Sequence, residues 1–180
     1  MEAEPSPAFI EGLKQLDAGK LSKAIEIFAE TAAVGDADGN FYLGLAYDGL
    51  LGRDAADEPP IELDPEAAVR CYRRAAESGH AQAMLNLSMS YRSGEGVDAS
   101  DIEAAFEWLE RSAAAGDERA AFNCGVALDP LHPPYGNPGS IVVPKDAARA
   151  VQYYRSASDQ GHGKAMVNLG CAPTCRAEEP

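Results

Sequence analysis

The sequence predicts an all-α fold, an α-α superhelix (solenoid) of stacked antiparallel helix pairs, and three observations carry the prediction. Alanine supplies much of a hydrophobic fraction of 46%, and alanine is the strongest helix former. Apolar residues recur at helical spacing, as in Ala68, Cys71, Tyr72 and Ala75. One spaced set of residues returns in four windows, aligned on Gly35, Gly79, Gly116 and Gly161, which stand 44, 37 and 45 residues apart. Self-similarity at such a period marks an array in which each repeat is one supersecondary unit.

The windows agree at many offsets. The small pairs Thr31-Ala32, Ala75-Ala76, Ser112-Ala113 and Ala157-Ser158 precede the glycines, and Asp36, His80, Asp117 and His162 follow them directly. Ile27-Phe28, Cys71-Tyr72, Trp108-Leu109 and Tyr153-Tyr154 come earlier; Leu43-Gly44, Leu87-Ser88, Cys124-Gly125 and Leu169-Gly170 come later.

Taken in order, the chain opens on AFIEGLKQLDAGKLSKAIEIFAETAA, which reads as helix, turn at Ala18-Gly19-Lys20, helix. Each later window reads as a pair. Asp64, Asp101 and Asp146 stand fifteen residues before their glycines and can N-cap the helix that follows. Pro65 suits a first helical position. The window's glycine ends that helix by taking the left-handed C′ conformation. Asp36 or Asp117 then caps the next helix, which carries Ala83, Leu87 and Tyr91, or Ala120, Cys124 and Leu128, on one face. Ala68, Ala75, Ala83 and Ser88 let neighbouring axes approach closely. Tyr72, Trp108, Tyr153 and Tyr91 fill the wider gaps. At the far end GKAMVNLG starts a helix that Cys-Ala-Pro-Thr-Cys stops, a half-unit suited to cap the stack. The organisation expected is a tail at 1–7, a repeat domain at 8–170 and a tail at 171–180.

Composition narrows the function. A chain of 180 residues has room for a real core. Its net charge of −14 argues against a phosphate backbone as ligand, so no nucleic acid is expected. No apolar run approaches the roughly 20 residues of a membrane span, and MEAEPSPAFIEGLKQL lacks the order of a signal peptide. A cytoplasmic location follows as the expectation. Cys71 and Cys124 fall inside helical patterns and read as buried small hydrophobes. Cys171 and Cys175 form a single close pair without a second, so neither metal nor cofactor is expected.

These residues resemble the Sel1-like repeat family, a relative of tetratricopeptide repeats. Residues 81–116 carry the fullest likeness: Ala83, Leu87, Tyr91, Gly94, Gly96, Val97, Ala105, Trp108, Ala113 and Gly116. The 37–79 window keeps Leu43, Gly44, Tyr47, Gly52, Ala68, Tyr72, Ala75, Ala76 and Gly79. The 118–161 window departs, with Leu128 where Tyr is usual and no Gly-x-Gly. The resemblance covers residues 20–170 and implies a protein-binding adaptor or scaffold with a protein or peptide partner. The succession DAGKLSKAIEIFAE … FYLGLAYDGLLG is loosely similar to megalin-binding Sel1-like adaptors of animals. A secreted, disulfide-bonded branch of the family binds small molecules or has hydrolase character, and that is the alternative function. Its paired cysteines would fall at Ala76, Glu77 or Ser78 and at Ala83 or Met84, which are not cysteine.

Two windows exceed the family's period by about eight or nine residues, within 50–65 and 129–146. In the second, Pro130, Pro133, Pro134, Pro138 and Pro144 restrict the chain, and His132 and Tyr135 are candidate partner contacts. By analogy with related arrays, the first helix of each pair lines the concave groove. Asp38, Phe41, Leu45 and Asp48 then belong to one unit, Gln82, Leu85, Met89 and Arg92 to the next, and Arg119, Phe122, Val126 and Asp129 to the third. Phe41, Leu85 and Phe122 share an offset that is apolar throughout and reads more readily as core than as groove. Asp48, Arg92 and Arg119 are the better contacts, because charge is rarely buried unpaired.

Catalysis finds little support. His80 and His162 share one repeat offset, so the repeat accounts for them. No Gly-x-Ser-x-Gly, Walker A loop or HExxH occurs. Gly94-Glu95-Gly96 follows a helix rather than a strand, and Asp57-Glu58 reads as solvated loop. The expectation is a non-enzymatic protein. The oligomeric state stays open.

Overall fold

The computed structural model describes residues 5–51, 62–131, 141 and 143–171. The tips of both inserted loops, with His132, Tyr135 and Asp57-Glu58, lie outside the described residues, as does Cys175. Among the described residues there are nine helices and no strand: α1 (Pro7–Asp17), α2 (Leu21–Ala33), α3 (Ala37–Tyr47), α4 (Pro65–Glu77), α5 (Ala81–Ser93), α6 (Ile102–Ala114), α7 (Glu118–Leu128), α8 (Ala147–Asp159) and α9 (Gly163–Cys171). The substantial packing is between helices adjacent in sequence, as an all-α superhelix of antiparallel pairs requires.

The joints between pairs explain the repeated signature. Gly35, Gly79, Gly116 and Gly161 all have φ between 90° and 97°, a region that costs a residue with a Cβ. Each glycine N–H and the one after it reach back to the carbonyls of the preceding small pair. In the second joint Gly79 donates to Ala76 at 3.0 Å and His80 to Ala75 at 3.1 Å. That is a Schellman closure. The residue after each glycine then caps the following helix. Asp36 accepts from the Gly39 N–H at 2.9 Å and Asp117 from Ala120 at 2.8 Å. His80 and His162 do the same through Nδ1, at 3.2 and 3.3 Å. One dipeptide thus ends one helix and starts the next.

Within a pair, the connection is closed by a single recurring bond. The N–H of the capping aspartate donates to a carbonyl at the end of the first helix: Asp64 to Tyr47 at 3.1 Å, Asp101 to Tyr91 at 2.7 Å and Asp146 to Leu128 at 2.9 Å. These partners lie 17, 10 and 18 residues apart. The long connections meet the same bond as the short one, so the insertions leave the helix geometry intact. Lengthening a closed loop costs little entropy.

The core is alanine-rich and close-packed. Ala24, Ala68, Ala75, Ala83, Ala105, Ala120 and Ala150 are buried, with Phe28, Tyr72, Leu109 and Tyr154 filling the space between them. Trp108 departs from the expectation. It is half-buried, with the Arg111 guanidinium 4.6 Å from its ring, and its neighbour Leu109 is the core residue. The C-terminal half-unit also differs from a polar cap. Ala165 of α9 is buried against the stack, but Met166 and Val167 are 50% and 66% exposed at offsets that Met84 and Leu85 bury in an earlier unit.

Candidate partner-binding face

The first helices of successive pairs, α3, α5 and α7, present equivalent offsets side by side. Near their starts, α3 and α5 border a groove of about 840 Å³ lined by Asp38, Phe41, Tyr42, His80 and Gln82, with Phe9 of α1. Near their ends, a smaller pocket of about 240 Å³ is lined by Asp48, Asn86, Met89, Arg92 and Glu95. A third hollow of about 1080 Å³, between α4 and the α5–α6 connection, includes Arg70, Arg73, Tyr91 and Asp98.

At the starts, packing consumes the apolar groups. Phe41 is buried and its ring stacks on His80 at 4.3 Å; Phe122 stacks on His162 at 4.4 Å. Leu85 is buried as well. The shared apolar offset is therefore core at Phe41 and Leu85 and half-buried at Phe122. His80 Nε2 lies 3.3 Å from the Asp38 carboxylate. Burial pulls the imidazole pKa down, and Asp38 opposes that shift. With Nδ1 committed as the acceptor of the helix cap, the neutral ring carries its proton on Nε2, facing Asp38.

At the ends, a polar bridge recurs. The Tyr72 hydroxyl donates to Asp48 at 3.0 Å, and the Asn86 side chain interacts with the same phenol. The Tyr154 hydroxyl donates to Asp129 at 3.1 Å, with Asn168 in the equivalent role. Burial first, then the adjoining carboxylate, pushes both phenols above their ordinary pKa. Each tyrosine can seat only because a glycine faces its ring, Gly44 for Tyr72 and Gly125 for Tyr154. Sequence reasoning missed these bridges. Their signal was legible nonetheless: glycine and aspartate four residues apart, with a tyrosine at one fixed offset in the following second helix.

The candidate contacts separate. Asp48 and Arg92 line the same pocket, though the Asp48 carboxylate already serves Tyr72. Arg92 is exposed. Arg119 sits in the first turn of α7, ten offsets earlier than Arg92, or about 15 Å along the helix direction. It pairs with its own capping residue, Asp117, at 3.2 Å. His132 and Tyr135 lie outside the described residues.

Cys71 and Cys124 are buried, free thiols. Burial raises both, Cys124 to about 12, which leaves little thiolate to react. Among the described residues, no three His, Cys, Asp or Glu side chains gather as a metal site needs, and no helix is long and apolar enough to cross a membrane.

Stacked helix pairs with glycine-closed joints define a helical-repeat protein. The chain belongs to the Sel1 repeat family, which matches residues 37–80, 81–117 and 135–162. Among its relatives, the chitin synthase regulator SKT5 of Saccharomyces cerevisiae is 33% identical over 99 residues, 55% of this chain and 13% of the yeast protein. A solved Sel1 repeat protein from Oxalobacter formigenes has a TM-score of 0.71 at 30% identity, over 92% of this chain and 63% of that one. A protective antigen of uropathogenic Escherichia coli with an SLR fold has a TM-score of 0.61 at 25% identity, over 81% of this chain and 27% of that one. The chain spans less than two thirds of each of these relatives.

Proposed function

We propose that this chain is a non-enzymatic, cytoplasmic adaptor that holds a protein or peptide segment along the first-helix face. The observation that carries the reading is the pocket shared by Asp48 and Arg92, contributed by successive repeats and bordered by exposed Met89. A segment lying across α3 and α5 meets both units at once, and repeat arrays use such extended surfaces for binding. The repeat domain over 8–170 is the unit proposed to act, with the inserted loops, including His132 and Tyr135, as a second edge for contact.

The adaptor class, which Sel1 repeats generally serve, fits the side chains better than the small-molecule or hydrolase alternative. The two buried thiols do not form the paired framework of that branch. The test is a titration of a captured partner against the parent and the Arg92→Glu/Arg119→Glu variant. Both side chains are exposed, so the helical fold should be preserved. Binding should weaken while the helical spectrum holds; Arg92→Glu alone should leave the melting point unchanged, whereas Arg119→Glu also loses the pair with buried Asp117 and should lower it modestly. Equal affinity for both proteins would move the site off this face.

A further inference from the structure

Near the starts of α3 and α5, the groove of about 840 Å³ joins an aromatic cluster to one carboxylate. Phe9, Phe41 and Tyr42 form the cluster, with the Tyr42 ring in edge contact with both phenylalanines at centroid separations of 5.2 and 5.6 Å. Asp38 is the single carboxylate among the lining residues, and neither lysine nor arginine lines the groove. The repeat does not require that acid. At its offset the central copy, α5 with α6, carries Gln82, and the later first helices carry Arg119 and Lys164.

Asp38 is left with binding capacity. His80 Nε2 meets its Oδ1 at 3.3 Å, and the carboxylate side chain stays 42% exposed. Oδ2 has no hydrogen bond or ion pair among the described residues. Burial pulls the His80 pKa down, so at neutral pH the imidazole offers an N–H without an opposing charge. The Tyr42 phenol is raised by burial first and then by Asp38 and Asp17. Negative potential therefore reaches the aromatic cluster, and no fixed cation of the groove answers it.

We propose that the groove receives a lysine or arginine of the bound segment, its cation on Asp38 and its methylene stem along Phe9, Phe41 and Tyr42. Long basic side chains cover apolar surface with their stems while the charged head finds a polar partner, and aromatic rings attract a cation beside them. An acidic side chain would meet Asp38 and be repelled. The net charge of −14 favours the approach of a basic segment, and screening beyond about 8 Å leaves the choice of position to contacts. Asp48 follows Asp38 by ten residues, about 15 Å along α3, so one segment across α3 and α5 reaches this groove and the pocket at the helix ends. The inference rests on the adaptor reading above and names the chemistry of its partner at one point.

The test uses a random-peptide phage library selected on the full chain at physiological ionic strength. Enriched peptides are made with their basic position intact or changed, Lys→Gln or Arg→Gln. They are titrated against the parent, Asp38→Asn, Gln82→Lys and Arg92→Glu/Arg119→Glu. Asp38→Asn keeps an acceptor for His80 and removes the charge; a circular dichroism melt checks its folding. The expected result is enrichment of a basic position. Its loss should weaken binding by about fivefold or more, with the same loss in Asp38→Asn and no further loss when both changes combine. Gln82→Lys, an exposed change on the facing helix, should weaken the same peptides by placing a cation in the groove. Selected peptides that lack a basic position, or that bind Asp38→Asn as tightly as the parent, overturn the inference; where they lose affinity for Arg92→Glu/Arg119→Glu, the adaptor face stands. Failure to enrich any peptide, or equal affinity for every variant, overturns both. If Asp38→Asn does not fold, Gln82→Lys decides in its place.

Discussion

Gly44 of α3 lies so close to Tyr72 of α4 that a Cβ placed on it would sit 2.6 Å from the ring's Cε1. The glycine therefore serves packing: its φ is unremarkable, and inside a helix glycine normally costs about 1 kcal/mol relative to alanine. Gly44→Ala should reverse the usual sign. We expect a loss of about 1–3 kcal/mol from overpacking, read as a lower urea midpoint. In a Tyr72→Leu background the same substitution should cost less, because the central copy pairs Ser88 with Leu109 at these offsets. A double-mutant cycle measures the coupling; additivity would show that the ring and the glycine are independent.

Gly79 presents the opposite case. Its φ is 92° and nothing lies within 4 Å of a Cβ built on it. A substitution there meets no clash, so its cost is conformational. Gly79→Ala should cost about 1–2 kcal/mol, and Gly79→Val more than about 1 kcal/mol for the same reason. Gly163 opens α9 with equally free space and no positive φ. Gly163→Ala should leave thermal stability equal or higher. Melting curves of the three variants separate backbone strain from crowding, and a Gly79→Val melt equal to the parent's would contradict the left-handed joint.

The joints were legible because each is written in adjacent residues: a small pair, a glycine, then a capping Asp or His. The second-helix caps were legible for the same reason, since Asp64 and Ala67 are neighbours in the chain. Facing was harder. Trp108 and Leu109 are consecutive, and helical periodicity tolerates either as the inward residue. Comparing the windows settles it, because Phe28, Tyr72, Leu109 and Tyr154 are buried in all four, while the preceding residue is half-buried at Ile27, Trp108 and Tyr153 and buried only at Cys71. The engagement of Asp48 was not legible from its own unit, because its partner Tyr72 lies 24 residues away across an insertion. A charged residue at a helix end reads as solvent-facing until the distant donor is known.

The Trp108 and Leu109 pair gives the third prediction. Leu109→Ala removes a side chain 2% exposed and should cost about 2–5 kcal/mol. Trp108→Ala should cost less than the 3–5 kcal/mol typical of a fully buried tryptophan, because half-burial leaves part of the ring in water already. Chemical denaturation of both variants ranks them. A larger loss at Trp108 than at Leu109 would reverse the assignment of the core offset.

The last prediction concerns pH. His80 joins α4 to α5: its Nδ1 accepts the Ala83 N–H, its ring stacks on Phe41, and Nε2 faces Asp38. Protonation would remove the Nδ1 acceptor and place a charge in a site only partly open to water. Burial holds the folded pKa below the ordinary value of about 6.5, against the pull of Asp38. Between the folded and the unfolded pKa the unfolded chain binds more protons, so stability rises with pH through that window and falls as pH drops through it. The contribution is fully present above about 6.5 and is lost as the folded pKa is passed. His80→Asn keeps a competent N-cap and cannot titrate. The parent should therefore lose more stability than His80→Asn on going from pH 7 to pH 5, measured as the difference between their melting-temperature slopes. Carboxylates elsewhere titrate in both proteins and cancel in that difference. Equal slopes would show that the imidazole does not change its proton affinity on folding.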